Sequence, residues 1–389
     1  MSMLAGPQRA IVFPDGILQL TVESCQQAPE DLLGFAARAN PRRAFLFLSK
    51  VLGKHYPASP AAMEAIHRHL AAAIPAGDGP VVFIGMAETA TGLAQGVFEA
   101  WWRAQSDPVA LCLQTTRYRI ETARHLVFEE THSHAPRVFL HLPRDETLRA
   151  RFAAARRVVL VDDELSTGNT FVNLLRVLRG LMPRLAAVHL ATICDFMGAA
   201  RDEVRARIRL PCTIGAAVSG SWQFTRHDRE IPAGAAAQCA DGCEVRLADN
   251  GHGRLGRASC LAPPEALVRR LAAEPVDGPT LVLGTGEFMH AAFVLARALA
   301  ARGVETVVQA TTRSPIRVWG DVRHALTVPD PYGEGIANYL YNVRPGQYGR
   351  VLICHEVPPG PALHELARLV DGRLIRFLPD DHAEEIPVH

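Results

Sequence analysis

Lysine is almost missing from this chain. Lys50 and Lys54 are the two lysines among 41 basic residues in 389 positions, so nearly every positive charge is an arginine. Long apolar runs are missing too: no stretch reaches the roughly 20 residues that a membrane-spanning helix needs. The N-terminus lacks the basic, apolar and small-residue layout of a signal peptide. These two absences lead us to expect a cytoplasmic protein. An excess of one charge is also lacking. The formal net charge is +1, which gives no reason to expect a nucleic-acid or membrane partner. The eight cysteines are scattered, mostly inside apolar segments as at Cys112, Cys194 and Cys354. They read as small buried hydrophobes rather than a disulfide framework. Cys239, Cys243, Cys260 and His252 are too irregularly spaced for a zinc site.

What remains is the pattern of a soluble α/β protein. The lead-in AIVFPDGILQLTVESC is rich in strand formers. From about Pro60, apolar strands (PVVFIG, PVALCLQTT, RVVLV, LAAVHLATICDF) alternate with segments of helical period. This alternation predicts a parallel sheet covered on both faces. Residues 196–260 are punctuated by Gly, Pro and Ser and read as a connection with short strands. The βα alternation then resumes and repeats the first half. DGPVVFIGMAETATG, from Asp78, parallels DGPTLVLGTGEFMHA, from Asp277. Each holds a Gly-x-x-Glu turn, Gly85 to Glu88 and Gly284 to Glu287. Gln-Thr-Thr-Arg ending at Arg117 parallels Ala-Thr-Thr-Arg ending at Arg313. VVLVDDELSTGNT parallels VLICHEVPPGPA. The repeat predicts a duplicated fold. The expected division is a β-rich extension over 1–40, a first α/β domain over 41–215, a connection over 216–260 and a second α/β domain over 261–389.

The chemistry concentrates in RRVVLVDDELSTGNTF. It sets Asp162 and Asp163 at the carboxyl end of a strand, where open α/β sheets bind ligands. Ser166, Thr167, Gly168, Asn169 and Thr170 follow as a turn into a helix, whose free N–H groups and dipole suit an anion. A phosphate beside a vicinal diol satisfies both parts, and ribose 5-phosphate carries that pair. The carboxylates are also candidates to place a divalent cation, Mg2+. Lys50 and Lys54 fall on one face if FLFLSKVLGKH is helical, and a compact ammonium suits an anion site.

VVLVDDELSTGNT resembles the 5-phosphoribosyl-1-diphosphate (PRPP) signature of type I phosphoribosyltransferases. The further run of FLFLSKVLGKH, GMAETATGLA, FEETHSHA and TTRSPIRVWGD is similar to the phosphoribosyltransferase–TRSP proteins of bacterial tellurium- and stress-resistance gene clusters. That domain takes its name from the residues that stand here as Thr312 to Pro315. The resemblance implies a type I phosphoribosyltransferase-like parallel sheet flanked by helices, then a second α/β domain that is a degenerate copy of it. It implies PRPP-dependent transfer to a nitrogenous base or related nucleophile, with Mg2+ as cofactor and diphosphate as product, in a nucleotide-like biosynthetic or salvage pathway. Met86, Ala87 and Glu88 occupy the place of the family's pyrophosphate loop. The family's mobile catalytic loop falls on residues 115–141, which hold no lysine. Arg137, His132 and His134 are therefore the candidates there to neutralise diphosphate, with Arg117 and Arg119 on the stem. Asp162 and Asp163 are expected as ribose ligands, with Asp163 or Glu164 as a base toward the incoming nitrogen. A variable hood recognises the acceptor in this family, and the N-terminal 60 residues or the connection are the candidates for it. The family tendency is toward homodimers.

The second half does not preserve the donor motif. His355 and Glu356 replace the acidic pair, and the prolines that follow remove backbone donors. Glu287, His290, Arg313, Ser314, Arg317 and His355 fall near its predicted strand ends. They form either a second site for an acidic or phosphorylated substrate or part of a structural partner domain. A PRPP sensor without turnover and the reverse, nucleotide-cleaving reaction are the alternatives to a forward transferase.

Overall fold

A computed structural model describes residues 8–38, 43–120, 123–129, 137–227, 246–247, 252–379 and 382–388. In the first half the elements run β1 (Arg9–Phe13), β2 (Gly16–Cys25), the short α1 (Pro29–Leu32), β3 (Leu33–Ala37), β4 (Phe45–Ser49), α2 (Pro60–Ala72), β5 (Val81–Gly85) and α3 (Thr91–Arg103). There follow β6 (Ala110–Gln114), β7 (Arg119–Ile120), the hairpin β8 (His125–Glu129) and β9 (Arg137–His141), and α4 (Glu146–Ala153). β10 (Arg157–Leu165), α5 (Asn169–Leu178), β11 (Ala187–Asp195), α6 (Ala200–Ile208) and β12 (Cys212–Arg226) complete it. The second half holds β13 (Arg246–Leu247), α7 (Glu265–Ala273), β14 (Thr280–Gly284), α8 (His290–Ala300) and β15 (Thr306–Ala310). It ends with the hairpin β16 (Ala325–Val328) and β17 (Asn338–Tyr341), β18 (Arg350–His355), α9 (Pro361–Val370), β19 (Gly372–Phe377) and β20 (Ala383–Ile386).

The main sheet has the order β1-β2-β12-β11-β10-β5-β6, and the second sheet β15-β14-β18-β19-β20. Within them β6-β5-β10-β11 and β15-β14-β18-β19 are the same parallel arrangement reached twice, Val161 pairing Gly85 as Cys354 pairs Gly284. This is the repeat expected from the sequence. Its central strands are continuous apolar runs because both faces are covered: VVFIG, ALCLQ and TLVLG are buried at every position. α5 buries Phe171, Val172, Leu174, Leu175 and Leu178 against one face of the main sheet.

Two stretches differ from the sequence expectation. The region read as a connection begins with a fifteen-residue strand, Cys212–Arg226, which joins β11 in parallel and β2 in antiparallel. The strand is longer than the short ones expected there, and Gly220 lies where the backbone of Thr21 leaves no room for a Cβ. FLFLS is a strand, not a helix, and pairs with LGFAA as the β3–β4 hairpin. The two halves pack through α2, α3 and α8. Gly92 of α3 permits this approach, since a Cβ there would meet the Met289 side chain at 2.9 Å. At the same contact Glu99 accepts from His290 Nε2 at 2.8 Å, Leu261 N at 2.9 Å and Arg297 at 3.2 Å. Among the described residues no helix is long and apolar enough to cross a membrane.

Candidate active site

The Gly-x-x-Glu turns are built alike. Thr115 N donates to Gly85 O at 2.8 Å and Thr311 N to Gly284 O at 3.0 Å. Ala87 N donates to Thr115 Oγ1 at 2.8 Å and Gly286 N to Thr311 Oγ1 at 2.9 Å. Beyond each turn the Thr-Thr-Arg segment bridges a hairpin, Thr116 to Phe139 and Thr312 to Tyr339.

The glutamates then cross over. Glu88 of the first half accepts from Arg313 Nε at 3.1 Å and Arg313 N at 3.4 Å, both in the second half. Glu287 of the second half accepts from Arg117 N at 2.8 Å and Thr116 Oγ1 at 2.6 Å in the first. Each turn is thus completed by the opposite Thr-Thr-Arg. Lys54 lies at the same junction, its side chain fully buried, with Nζ 2.8 Å from Glu88 Oε1 and donating to Gly286 O at 2.6 Å. Burial alone would raise the Glu88 carboxyl, but Lys54 and Arg313 overcome it and hold the group below the usual carboxylate range. His55 is driven down to about 3 by burial, with Lys54 adding to the effect, so its ring is neutral.

A cleft of about 270 Å³ opens beside this junction. Asp162, Asp163 and Glu164 at the end of β10, the turn Ser166, Thr167, Gly168 and Thr170, and Ala87 with Glu88 line one side of it. The turn enters α5 through Gly168, at φ 64° and with no side-chain cap on the helix. A Cβ at Gly168 would also strike Val204 at 2.8 Å. The uncapped first turn leaves N–H groups for an anion. Asp163 N donates to Asp162 Oδ1 at 2.9 Å, which orients that carboxylate. Arg117 and His55 also reach the cleft. The lining is completed by Arg38, Arg43 and Leu46 from and beside the β3–β4 hairpin together with Thr312, Arg313, Ser314, Pro315 and Ile336 of the second half.

The remaining sequence candidates are placed elsewhere. Asn169 turns its Oδ1 to Arg207 at 2.8 Å. Met86 is buried in the core, its N–H donating to Val161 O. Lys50, just past the end of β4, turns away from the cleft to Glu30 O at 3.0 Å and Asp321 at 3.5 Å. His132, His134 and the side chain of Arg137 lie outside the described residues, as do Cys239 and Cys243. Among the described residues no group of three or more His, Cys, Asp or Glu is placed to hold a metal ion by itself. The second-half candidates do not meet in one place. His290 sits on Glu99, while Arg313 and Ser314 belong to the first half's cleft. Arg317 pairs with Asp15 at 3.0 Å. His355 is buried with Nδ1 2.9 Å from Val357 O, and burial lowers it to about 4.

The space that corresponds to the cleft in the second half is filled. Arg254, missed from the sequence, pairs with Glu356 at 2.8 Å and Glu287 at 3.3 Å, all three side chains being buried. Tyr332, from the loop between β16 and β17, donates to Glu356 at 2.9 Å and stacks on Tyr118 with ring centroids 4.5 Å apart. By strand register His355 and Glu356 stand where Asp162 and Asp163 do. Pro358, Pro359 and Pro361 replace the donor turn. Glu334 of the same loop pairs with Arg313.

An acidic strand end and a helix-entry turn, in one cleft with the Ala87–Glu88 turn, fit the phosphoribosyltransferase class. Residues 32–221 match the family model described as phosphoribosyl transferase, and residues 256–371 match the TRSP domain that stands C-terminal to it. The chain belongs to the family in which these two domains are joined. None of the curated proteins matches it. Among solved structures it is similar to adenine phosphoribosyltransferase of Trypanosoma brucei in complex with AMP, pyrophosphate and ribose-5-phosphate. That match has 14% identity over 49% of this chain and 80% of that one, with a TM-score of 0.34. The enzyme of Giardia lamblia complexed with 9-deazaadenine matches at 14% identity over 48% and 94%, with a TM-score of 0.32. That of Thermoanaerobacter pseudethanolicus matches at 14% over 48% and 96%, with a TM-score of 0.33.

Proposed function

We propose that the chain transfers the 5-phosphoribosyl group of PRPP to a nitrogen nucleophile and releases diphosphate. The observation that carries this reading is one cleft holding the Asp162–Asp163 strand end, the Ser166–Thr170 turn and the Ala87–Glu88 turn together. The turn receives the 5-phosphate on Ser166, Thr167 and Thr170 and the free amides of α5. Asp162 and Asp163 accept from the ribose hydroxyls, and the Ala87–Glu88 turn faces the diphosphate. The acceptor nitrogen's lone pair forms the bond to C1 as the C1–O bond breaks, with its electron pair leaving on diphosphate. A proton on that nitrogen passes to Asp163 or Glu164. Rate then comes from holding the ribose and offsetting charge on the leaving group, with no protein nucleophile.

The donor set suits Mg2+. Two hard carboxylates open to the cleft suffice for an ion that keeps several waters and takes its other ligands from substrate phosphates. Asp162 and Asp163 would hold it, and when bound it neutralises diphosphate charge. Calorimetric titration of PRPP with Mg2+ into the protein and into Asp162→Asn/Asp163→Asn tests the reading. We expect micromolar-range binding to fall at least about 100-fold in the double variant, as two charge-assisted contacts are lost. Absence of binding to the native protein overturns it.

A further inference from the structure

The acceptor end of the cleft carries a charge that the donor does not use. Arg38 directly follows β3 and is held by the second half: it bridges Ile316 in antiparallel, and Arg317 N donates to Ala37 O at 2.8 Å. Its guanidinium points into the cleft, where Nη2 reaches Ser314 Oγ at 3.5 Å. Among the described residues it forms no ion pair. Arg43, beside it, is differently placed. It pairs with Glu164 at 2.8 Å and lies 4.6 Å over the Phe45 ring. Burial, and then the neighbouring Arg43, depress the Arg38 pKa, and the more distant charges of Glu164 and Asp163 only partly oppose them. The 5-phosphate is provided for by the turn before α5 and the diphosphate by the Ala87–Glu88 turn. Leu46, Pro315 and Ile336 give this end apolar surface suited to a flat ring.

Resting on the transferase reading, we propose that the acceptor is a planar nitrogen heterocycle bearing a carboxylate, which pairs with Arg38 and accepts from Ser314 Oγ. The C-terminal domain would then select the substrate of its neighbour: its Thr-Arg-Ser-Pro segment supplies one contact to the carboxylate and fixes the arginine that makes the other. The carboxylate takes no part in bond making. It fixes which nitrogen faces C1.

Matched probes test this in the full chain, with ribose 5-phosphate and Mg2+ diphosphate filling the donor site. Orotate against uracil and nicotinate against nicotinamide are titrated by calorimetry. In at least one pair the acid should bind tenfold or more tighter, about the worth of one charge-assisted pair. Arg38→Gln should erase that preference while ribose 5-phosphate affinity is unchanged, and Arg38→Lys should restore part of it. Equal affinity, preference for the neutral member, no binding of either acid, or a preference that survives Arg38→Gln overturns the proposal. Failure of ribose 5-phosphate to bind the native protein overturns the transferase reading instead, so the two failures are distinguishable.

Discussion

At the end of β10 the first half leaves two carboxylates and an uncapped helix turn facing open space. At the end of β18 the second half packs Arg254, Tyr332 and Glu356 into the matching position. The frames are the same in strand order, in the Gly-x-x-Glu turn and in the bridged hairpin, so none of these decides whether a ligand can enter. What decides it is local. From the strand position paired with the turn glycine to the helix N-cap is 168 − 161 = 7 residues in the first half and 360 − 354 = 6 in the second. The shorter connection also carries prolines, which have no N–H to offer an anion. The charge left at its strand end is then met by an arginine from within the chain rather than by a ligand.

The comparison can be broken most forcefully at Arg254. Arg254→Met leaves Glu287 and Glu356 buried without their guanidinium. Urea denaturation should show a loss of about 3–5 kcal/mol, the usual result of stripping one partner from a buried pair. A loss below about 1 kcal/mol would mean that water already reaches these carboxylates. PRPP stoichiometry should stay at one per chain.

The lysine pair gives a smaller, internal contrast. Lys54→Met should cost about 2–3 kcal/mol, because Glu88 keeps Arg313 but loses the fully buried ammonium. Lys50→Met removes a partly exposed charge and should stay within about 0.5 kcal/mol. Equal effects from the two substitutions would contradict the junction described for Lys54.

A pH dependence is also expected at Glu334, in the loop that closes the second half. Burial raises its carboxyl to about 7 from an ordinary 4.5, with Arg313 opposing. The folded chain therefore retains a proton that the unfolded chain releases between those values. The stabilisation is complete below pH 4.5 and disappears as pH rises through about 7. Relative to Glu334→Gln, the native protein should lose up to ~1.4 kcal/mol per pH unit over that window. Parallel stability curves for the two proteins would refute the assignment.

The acidic strand end and turn of the cleft were legible in the sequence because their parts are contiguous. Asp162 to Thr170 carry strand, carboxylates and anion turn within nine positions, and the repeat of DGP, Gly-x-x-Glu and Thr-Thr-Arg exposed the duplication. The wall proposed for the acceptor was not legible, since it joins Arg38 to Ser314 across 314 − 38 = 276 positions. Only the paired strands and loops bring them together. Lys50 was misplaced because FLFLSKVLGKH was read as a helix, which puts Lys50 and Lys54 on one face; FLFLS is instead a strand that ends at Ser49, and both lysines lie in the irregular turn after it. Arg254 carried no signal at all, as one arginine among many in a glycine-rich stretch. The His and Arg candidates of the 130–137 segment fall outside the described residues.

The crossed glutamates have an evolutionary consequence. A symmetric homodimer built on such reciprocal turns would carry every substitution twice, so a change that closed one site would close both. Two copies within one polypeptide are free of that constraint. Here one copy could exchange its anion turn for prolines while still holding Glu88 through Arg313. Under the transferase proposed above, a wall built by the second copy can change with the acceptor without touching the Asp162–Thr170 segment.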